Sequence, residues 1–204
     1  MTPESRLFIA SACCFFAFAV LGLWVVRRAA GGIDAIGLQM RGGAVLVARA
    51  FTISGRSIGV TCACAIAVLA FLFMRRPLWI PLAMILSQVG SQAIVETAKV
   101  LYARKRPDYW LFGLDAGHSY PSGHSATAII FFGGWAVVTL ASGMAAVPRD
   151  AIIALLGLWA IGIAWSRLAL GAHYLSDVLG GLLFGFGWLC GALALLWHFS
   201  LFRA

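Results

Sequence analysis

Apolar residues run along this chain in six long blocks separated by polar or mixed intervals. The first block, residues 7–26, carries no charge, and about 20 residues is the length one helix needs to cross a bilayer. It is longer than the apolar stretch of a cleaved leader, and no small-residue cleavage pattern precedes Arg27, so it reads as a retained first span. Further blocks follow at 57–74, 78–100, 125–147, 151–166 and 178–202. Arg75, Arg76 and Pro77 end the second, Pro148, Arg149 and Asp150 form a turn before the fifth, and Arg167 cuts the fifth off. Residues 29–55 are mixed: Gly31, Gly32, Asp34, Arg41, Gly42, Gly43 and Arg49 interrupt Ile33, Ile36, Leu38, Val45, Leu46 and Val47, with Arg56 next. That spacing predicts a helix lying in the membrane interface. The expected fold is all-α and polytopic: six transmembrane helices in a compact bundle, with an extra interfacial helix between spans one and two. Residues 1–204 form a single membrane-embedded domain in this reading. Gly181 and Gly185, and Gly187 and Gly191, are spaced four apart, which puts each pair on one helix face for close packing.

Composition agrees with the blocks. With 62% hydrophobic residues and a mean hydropathy of +0.96, the chain is too apolar for a soluble domain, in which apolar residues are roughly half. The net charge of +8 does not point to nucleic acid, because the basic residues lie between and at the ends of apolar blocks and not along a solvated stripe. Membrane flanks and an anionic substrate explain it instead. Cys13, Cys14, Cys62, Cys64 and Cys190 all fall inside apolar blocks and read as small buried hydrophobes, with no disulfide or zinc framework.

Charge is concentrated where the pattern breaks. Only 11% of the residues are charged, yet Lys99, Arg104, Lys105, Arg106, Asp108, Asp115, His118 and His124 crowd one stretch. A solvated loop suffices for Arg104, Lys105, Asp108 and Asp115. It does not explain Lys99 at the end of a block, Arg106 followed at once by Pro107, or Pro121, Ser122, Gly123 and His124 where the next block begins. A second cluster, Ser166, Arg167, His173, Ser176 and Asp177, lies between blocks five and six. Spans four and five cross and return, so both clusters emerge at one membrane face, as an active site requires.

The chemistry follows from residue types. His173 and Asp177 are four apart, one helical turn, so the carboxylate can hold one imidazole nitrogen and leave the other as base and nucleophile. Pro121 and Ser122 also suit an ordinary helix start. Gly123, however, lets a ligand approach the backbone, the free amides at a helix N-terminus face an anion, and Ser122 adds a hydroxyl. Lys99, Arg106 and Arg167 supply three cations that can neutralise a phosphate dianion and the charge spread over its oxygens during transfer.

These residues resemble the type 2 phosphatidic acid phosphatase family, shared with vanadium haloperoxidases. Lys99 with six residues to Arg106 and Pro107, then Pro121 to His124, then Ser166 and Arg167 with five residues to His173 and three more to Asp177, match its three signature motifs at their defining positions. The resemblance covers the chain from about Asp34 onward and implies a membrane member. It implies dephosphorylation of a lipid phosphate or diphosphate through a phosphohistidine, without metal or other cofactor. The substrate would be polyprenyl diphosphate, phosphatidic acid, phosphatidylglycerol phosphate or lipid A. Carried over, His173 is the nucleophile, Asp177 its orienting partner and His124 the acid that protonates the leaving oxygen, while Lys99, Arg106, Ser122, Gly123 and Arg167 bind the phosphoryl group. Ser166 stays outside the site, since a helix-end hydroxyl explains it equally well.

Other residues rank lower. His118 reads as a solvent-facing loop residue, His198 as interfacial at the opposite face, and Glu96 as a partner for Lys99 one turn away. Trp24, Trp79, Trp165 and Trp197 near span ends suit an aromatic belt. A transporter or channel for an anionic or phosphorylated solute is the competing class. It needs cations but no oriented His and Asp pair, and its site would lie near the midplane. Two arguments on orientation disagree. Arg27, Arg28, Arg41, Arg49 and Arg56 on the catalytic side favour a cytoplasmic site by simple counting. Arg6, Arg75, Arg76, Arg149 and Arg203 on the other side, where nothing catalytic explains them, favour cytoplasmic termini. The resemblance agrees with the second. The expectation is a bacterial inner membrane with the site facing the periplasm or exterior.

Overall fold

Every apolar block becomes a helix in the computed structural model, which describes residues 1–28, 31–108, 110–111 and 117–199. Asp115, Arg203 and the end of the sixth block lie outside the described residues. The elements are α1 Pro3–Val26, α2 Ile33–Gln39, α3 Val45–Ser54, α4 Ser57–Phe73, α5 Trp79–Tyr102, α6 Gly123–Leu140, α7 Ala146–Ala169 and α8 Leu175–His198. The described residues contain no strand. Helix α6 includes a π-helical stretch, Ala128–Gly133.

Four helices, α1, α6, α7 and α8, are long and apolar enough to cross a membrane, and α3 with α4 adds a fifth if that pair, bent by 56°, is one span. The 24-residue α5 is long enough, but polar residues dilute it for a reason. Gln88 and Ser91 are buried against the bundle, and Gln88 and Gln92 each donate to Thr127 Oγ1 on α6, at 2.9 and 2.6 Å. Polar groups at such depth must find partners inside the protein.

The mixed segment holds two helices instead of one, and both turn residues inward: Asp34 and Gly37 from α2, Ala48 and Thr52 from α3. Ala48 packs with Ala169 and Leu170, flanked by Val45, Leu111 and the half-buried Trp165. Residues 148–150 are also not a turn. Helix α7 starts at Ala146, and Pro148 sits in its first turn, where a missing N–H costs no helical hydrogen bond. The cysteines are not buried: Cys13 and Cys62 are exposed and the others half-buried.

Helix α8 is the central packing element, and its glycine pairs face different neighbours. A Cβ at Gly185 would lie 2.8 Å from Ile129 Cβ, and one at Gly181 2.9 Å from Ser125 Cβ, both on α6. At Gly187 and Gly191 it would lie 3.2 Å from Cys14 Cβ and 3.0 Å from Ser11 Oγ, both on α1. Ser11 also donates to Gly187 O at 2.8 Å. Each pair therefore sits on one face, and together they hold α8 between α6 and α1. At the far end, His198 Nδ1 lies 2.8 Å from Glu4 Oε1, which joins the end of α8 to the start of α1.

Candidate active site

The polar clusters meet where α5 ends and α6 and α8 begin. Ser122 N donates to Asp177 O at 3.0 Å, which fixes the start of α6 to the start of α8. Ser122 is the N-cap of α6: its Oγ accepts from Ser125 N at 3.4 Å and Ser125 Oγ at 2.9 Å. It is fully buried, with its hydroxyl engaged in the cap. Gly123 faces Lys99: a Cβ there would lie 3.6 Å from the Lys99 ammonium. Lys99 Nζ also pairs with Glu96 Oε1 at 2.7 Å. Arg167, His173, Arg56 and Lys99 all lie within electrostatic range of His124, whose Nε2 is buried with no hydrogen-bond partner among the described residues. His118 is half-buried in the loop before α6.

His173 stands in the short connection between α7 and α8. Its Nδ1 lies 3.6 Å from Asp177 Oδ2, and its Nε2 lies 3.3 Å from Arg106 Nη1. A guanidinium has donors only, so the second contact is favourable when Nε2 carries the lone pair and Nδ1 the proton. That is the tautomer of an in-line nucleophile. Arg106 is steadied by Ala172 O at 3.1 Å and Gly117 O at 3.2 Å. Burial drives the His173 pKa down to about 4, with the nearby Asp177 carboxylate opposing, so the ring is neutral near pH 7.

Arg167 is fully buried near the end of α7, with Nη1 donating to Thr52 Oγ1 at 3.1 Å. Thr52 and Ser166 share a 2.7 Å hydroxyl contact, which places Ser166 behind the Thr52 hydroxyl that Arg167 reaches. The Trp110 ring lies 4.9 Å from the Arg167 guanidinium carbon and 5.8 Å from that of Arg106, a cation–π bridge between two of the expected phosphate cations. A cleft of about 310 Å³ lined by Val25, Arg28, Tyr102, Arg104, Lys105 and Tyr174 opens beside the site, which puts the end of α1 on this face.

All eight expected site residues are thus gathered at one end of the bundle. Sequence reasoning missed those behind them. Arg104, expected in a solvated loop, is buried, and Nη1 donates to Asp177 Oδ1 at 2.5 Å while Nη2 donates to Asp34 Oδ2 at 2.6 Å. Burial alone would lower its pKa, but Asp177 and then Asp34 outweigh burial and raise it. Ser119, Thr52 and Trp110 were missed as well. Asp34 carried a usable signal: it is one of only seven acidic residues, alone among arginines in its segment. The described residues include no group of three or more His, Cys, Asp or Glu placed to hold a metal ion.

Comparison with known proteins bears on this arrangement. A model of the PAP2 superfamily matches residues 76–202. Two proteins called lipid A 1-phosphatase are similar. That of Rhizobium etli is 34% identical over 120 residues, 54% of this chain and 47% of its own length. That of Rhizobium johnstonii is 33% identical over 117 residues, 52% of this chain and 44% of its own length. This chain thus spans about half the length of the curated relatives it matches. A transmembrane PAP2-type phosphatidylglycerolphosphate phosphatase from Bacillus subtilis, known as a crystal structure, superposes with a TM-score of 0.76 over 93% of this chain and 96% of that one, at 24% identity. That likeness bears on the fold.

Proposed function

The chain belongs to the PAP2 superfamily, and on that premise we propose that it hydrolyses a phosphomonoester or diphosphate on a membrane lipid through a phosphohistidine at His173. The observation that carries this reading is the imidazole flanked by the Asp177 carboxylate 3.6 Å from Nδ1 and by Arg106 3.3 Å from Nε2. In the proposed reaction the Nε2 lone pair forms a bond to phosphorus as the bond from phosphorus to the lipid oxygen breaks, and that oxygen takes a proton from His124. Water then gives its proton to His124 and attacks phosphorus, the N–P bond breaks, and phosphate leaves. Lys99, Arg106 and Arg167 balance the charge on the equatorial oxygens, with the Gly123 amide at the start of α6 and the Ser122 hydroxyl as further ligands. A transporter would use the cations but gives the His173 and Asp177 pair no task.

We also propose that α5 completes a six-span bundle. At about 1.5 Å per residue its 24 residues reach about 36 Å, enough for a hydrocarbon core of about 30 Å. Helix α4, 17 residues long, is then the second span on its own, and helices α2 and α3 lie at the interface. Both termini are assigned to the cytoplasm and the site to the periplasm or exterior, on the strength of Arg75, Arg76 and Arg149. A reporter active only outside the cytoplasm should be silent when fused after Ala204, and activity there would reverse the assignment.

Phosphate release by the purified chain in detergent tests the function. The relatives make lipid A and phosphatidylglycerol phosphate the first lipids to offer, followed by phosphatidic acid and polyprenyl diphosphate. His173→Ala is the blank, and no release above it from any of these would overturn the reading.

A further inference from the structure

Asp177 is fully buried, and its carboxylate is gripped from three sides besides His173. Oδ2 accepts from the Ser119 hydroxyl and from Tyr174 N at 2.8 Å, while Oδ1 accepts from Arg104 Nη1 at 2.5 Å. The contact to His173 is the longest at 3.6 Å, so the other donors decide where the carboxylate points. Arg104 in turn is not an independent cation. Its Nη1 also reaches Ser176 Oγ at 2.7 Å and its Nη2 reaches Asp34 Oδ2 at 2.6 Å. Asp34 Oδ1 closes the ring by accepting from Ser176 N at 3.0 Å and Ser176 Oγ at 2.6 Å. The Tyr174 ring covers the guanidinium, with its centroid 4.4 Å from the guanidinium carbon. Arg104 and Asp34 are 8% and 2% exposed, so little water screens these charges.

We propose that Asp34 and Arg104 are positioning residues for the reaction, a buried Asp34–Arg104–Asp177 ion triad that aims the Asp177 carboxylate at His173. An arginine bound to Asp177 alone would draw off the negative charge that must stabilise the imidazole when it becomes cationic during attack. Asp34 shares that guanidinium, leaving the triad with one net negative charge on the His173 side. The planar fork also matters, because a lysine cannot reach both carboxylates and Ser176 in fixed directions. This gives α2, the helix that carries Asp34, a task in the chemistry.

The inference rests on the phosphatase reading and is tested by a double-mutant cycle on the full chain in detergent, with whichever of the four lipids the unaltered chain hydrolyses. Arg104→Lys and Asp34→Asn should each lower kcat on the order of 10²-fold, the scale of a misplaced catalytic group, with KM changed less than about 3-fold. In an Asp177→Asn background the same substitutions should change kcat less than about 2-fold, because groups acting as a unit are not additive. Each variant is scored on monodisperse protein with a melting transition, so loss of fold is read separately. Independent, multiplicative losses in the Asp177→Asn background, or near-normal kcat in folded Arg104→Lys and Asp34→Asn, would overturn the triad while leaving the phosphatase reading standing. An unaltered chain inactive on all four lipids would remove both.

Discussion

Arg106 Nη1 lies 3.3 Å from His173 Nε2, on the side of the imidazole away from Asp177. The guanidinium therefore occupies the approach that a phosphorus atom would take in the proposed reaction. An incoming phosphate offers the same donors a stronger acceptor, since charge-assisted bonds to an anion outweigh one to a neutral ring nitrogen. Binding should thus pull Arg106 from the nucleophile onto the phosphoryl oxygens.

That exchange predicts the behaviour of Arg106 variants. Arg106→Ala should lose roughly 3 kcal/mol or more of transition-state stabilisation, by analogy with removing one oxyanion donor. Arg106→Lys should recover only part of it, since an ammonium lacks the fork that serves both carbonyls and phosphate. Steady-state kcat/KM for lipid phosphate hydrolysis measures both, and an Arg106→Ala variant with native turnover would remove the residue from the site.

The covalent intermediate is open to direct trapping. Labelled substrate quenched in denaturant should leave acid-labile, base-stable phosphate on the protein, at a level that falls to background in His173→Ala. Equal labelling of that variant would mean that another residue carries the phosphoryl group.

The same residues indicate what a sequence can and cannot yield. His173 and Asp177, or Ser122, Gly123 and His124, were legible because their relationships are local, set by the pitch of a helix and by where an apolar block begins. The meeting of the two clusters followed from counting crossings. Arg104 was not legible, because its meaning depends on Asp34, 70 positions earlier in a segment whose mixed pattern suggests a surface. Periodicity carries no information about pairing over that range. The block at 78–100 was legible as a helix, but the partner of its polar residues was not, since Gln88 and Gln92 meet Thr127 on α6, 39 and 35 positions away.

The depressed His173 pKa also predicts a pH dependence of stability. The folded ring takes up a proton only near pH 4, whereas an unfolded histidine does so near 6.5. The unfolded chain therefore binds more protons between these values, so stability is full above about pH 6.5 and falls as the pH drops toward 4. The span is worth about 3 kcal/mol. Melting transitions in detergent should show a smaller acid loss for His173→Gln than for the native chain over this window. Parallel curves would contradict a neutral buried His173.

Helix packing at the site makes a further prediction, with a built-in control. Gly181 lets α8 approach α6 so closely that a Cβ would collide with the Ser122 carbonyl oxygen and lie 2.9 Å from Ser125 Cβ. The backbone oxygen cannot move aside as a flexible side chain could, so Gly181→Ala must push the helices apart, at a cost of roughly 1–3 kcal/mol. Because Ser122 N is hydrogen-bonded to Asp177 O at 3.0 Å, the displacement also shifts the start of α6 relative to His173. Gly157 on α7 has open space where its Cβ would go, and Gly157→Ala removes only the helix penalty of glycine. The first variant should melt lower and lose turnover. The second should melt at or slightly above the native temperature, by up to about 1 kcal/mol, with activity unchanged. Thermal unfolding and phosphate release on both variants decide the matter, and a Gly181→Ala variant as stable and active as Gly157→Ala would contradict the close approach of α6 and α8.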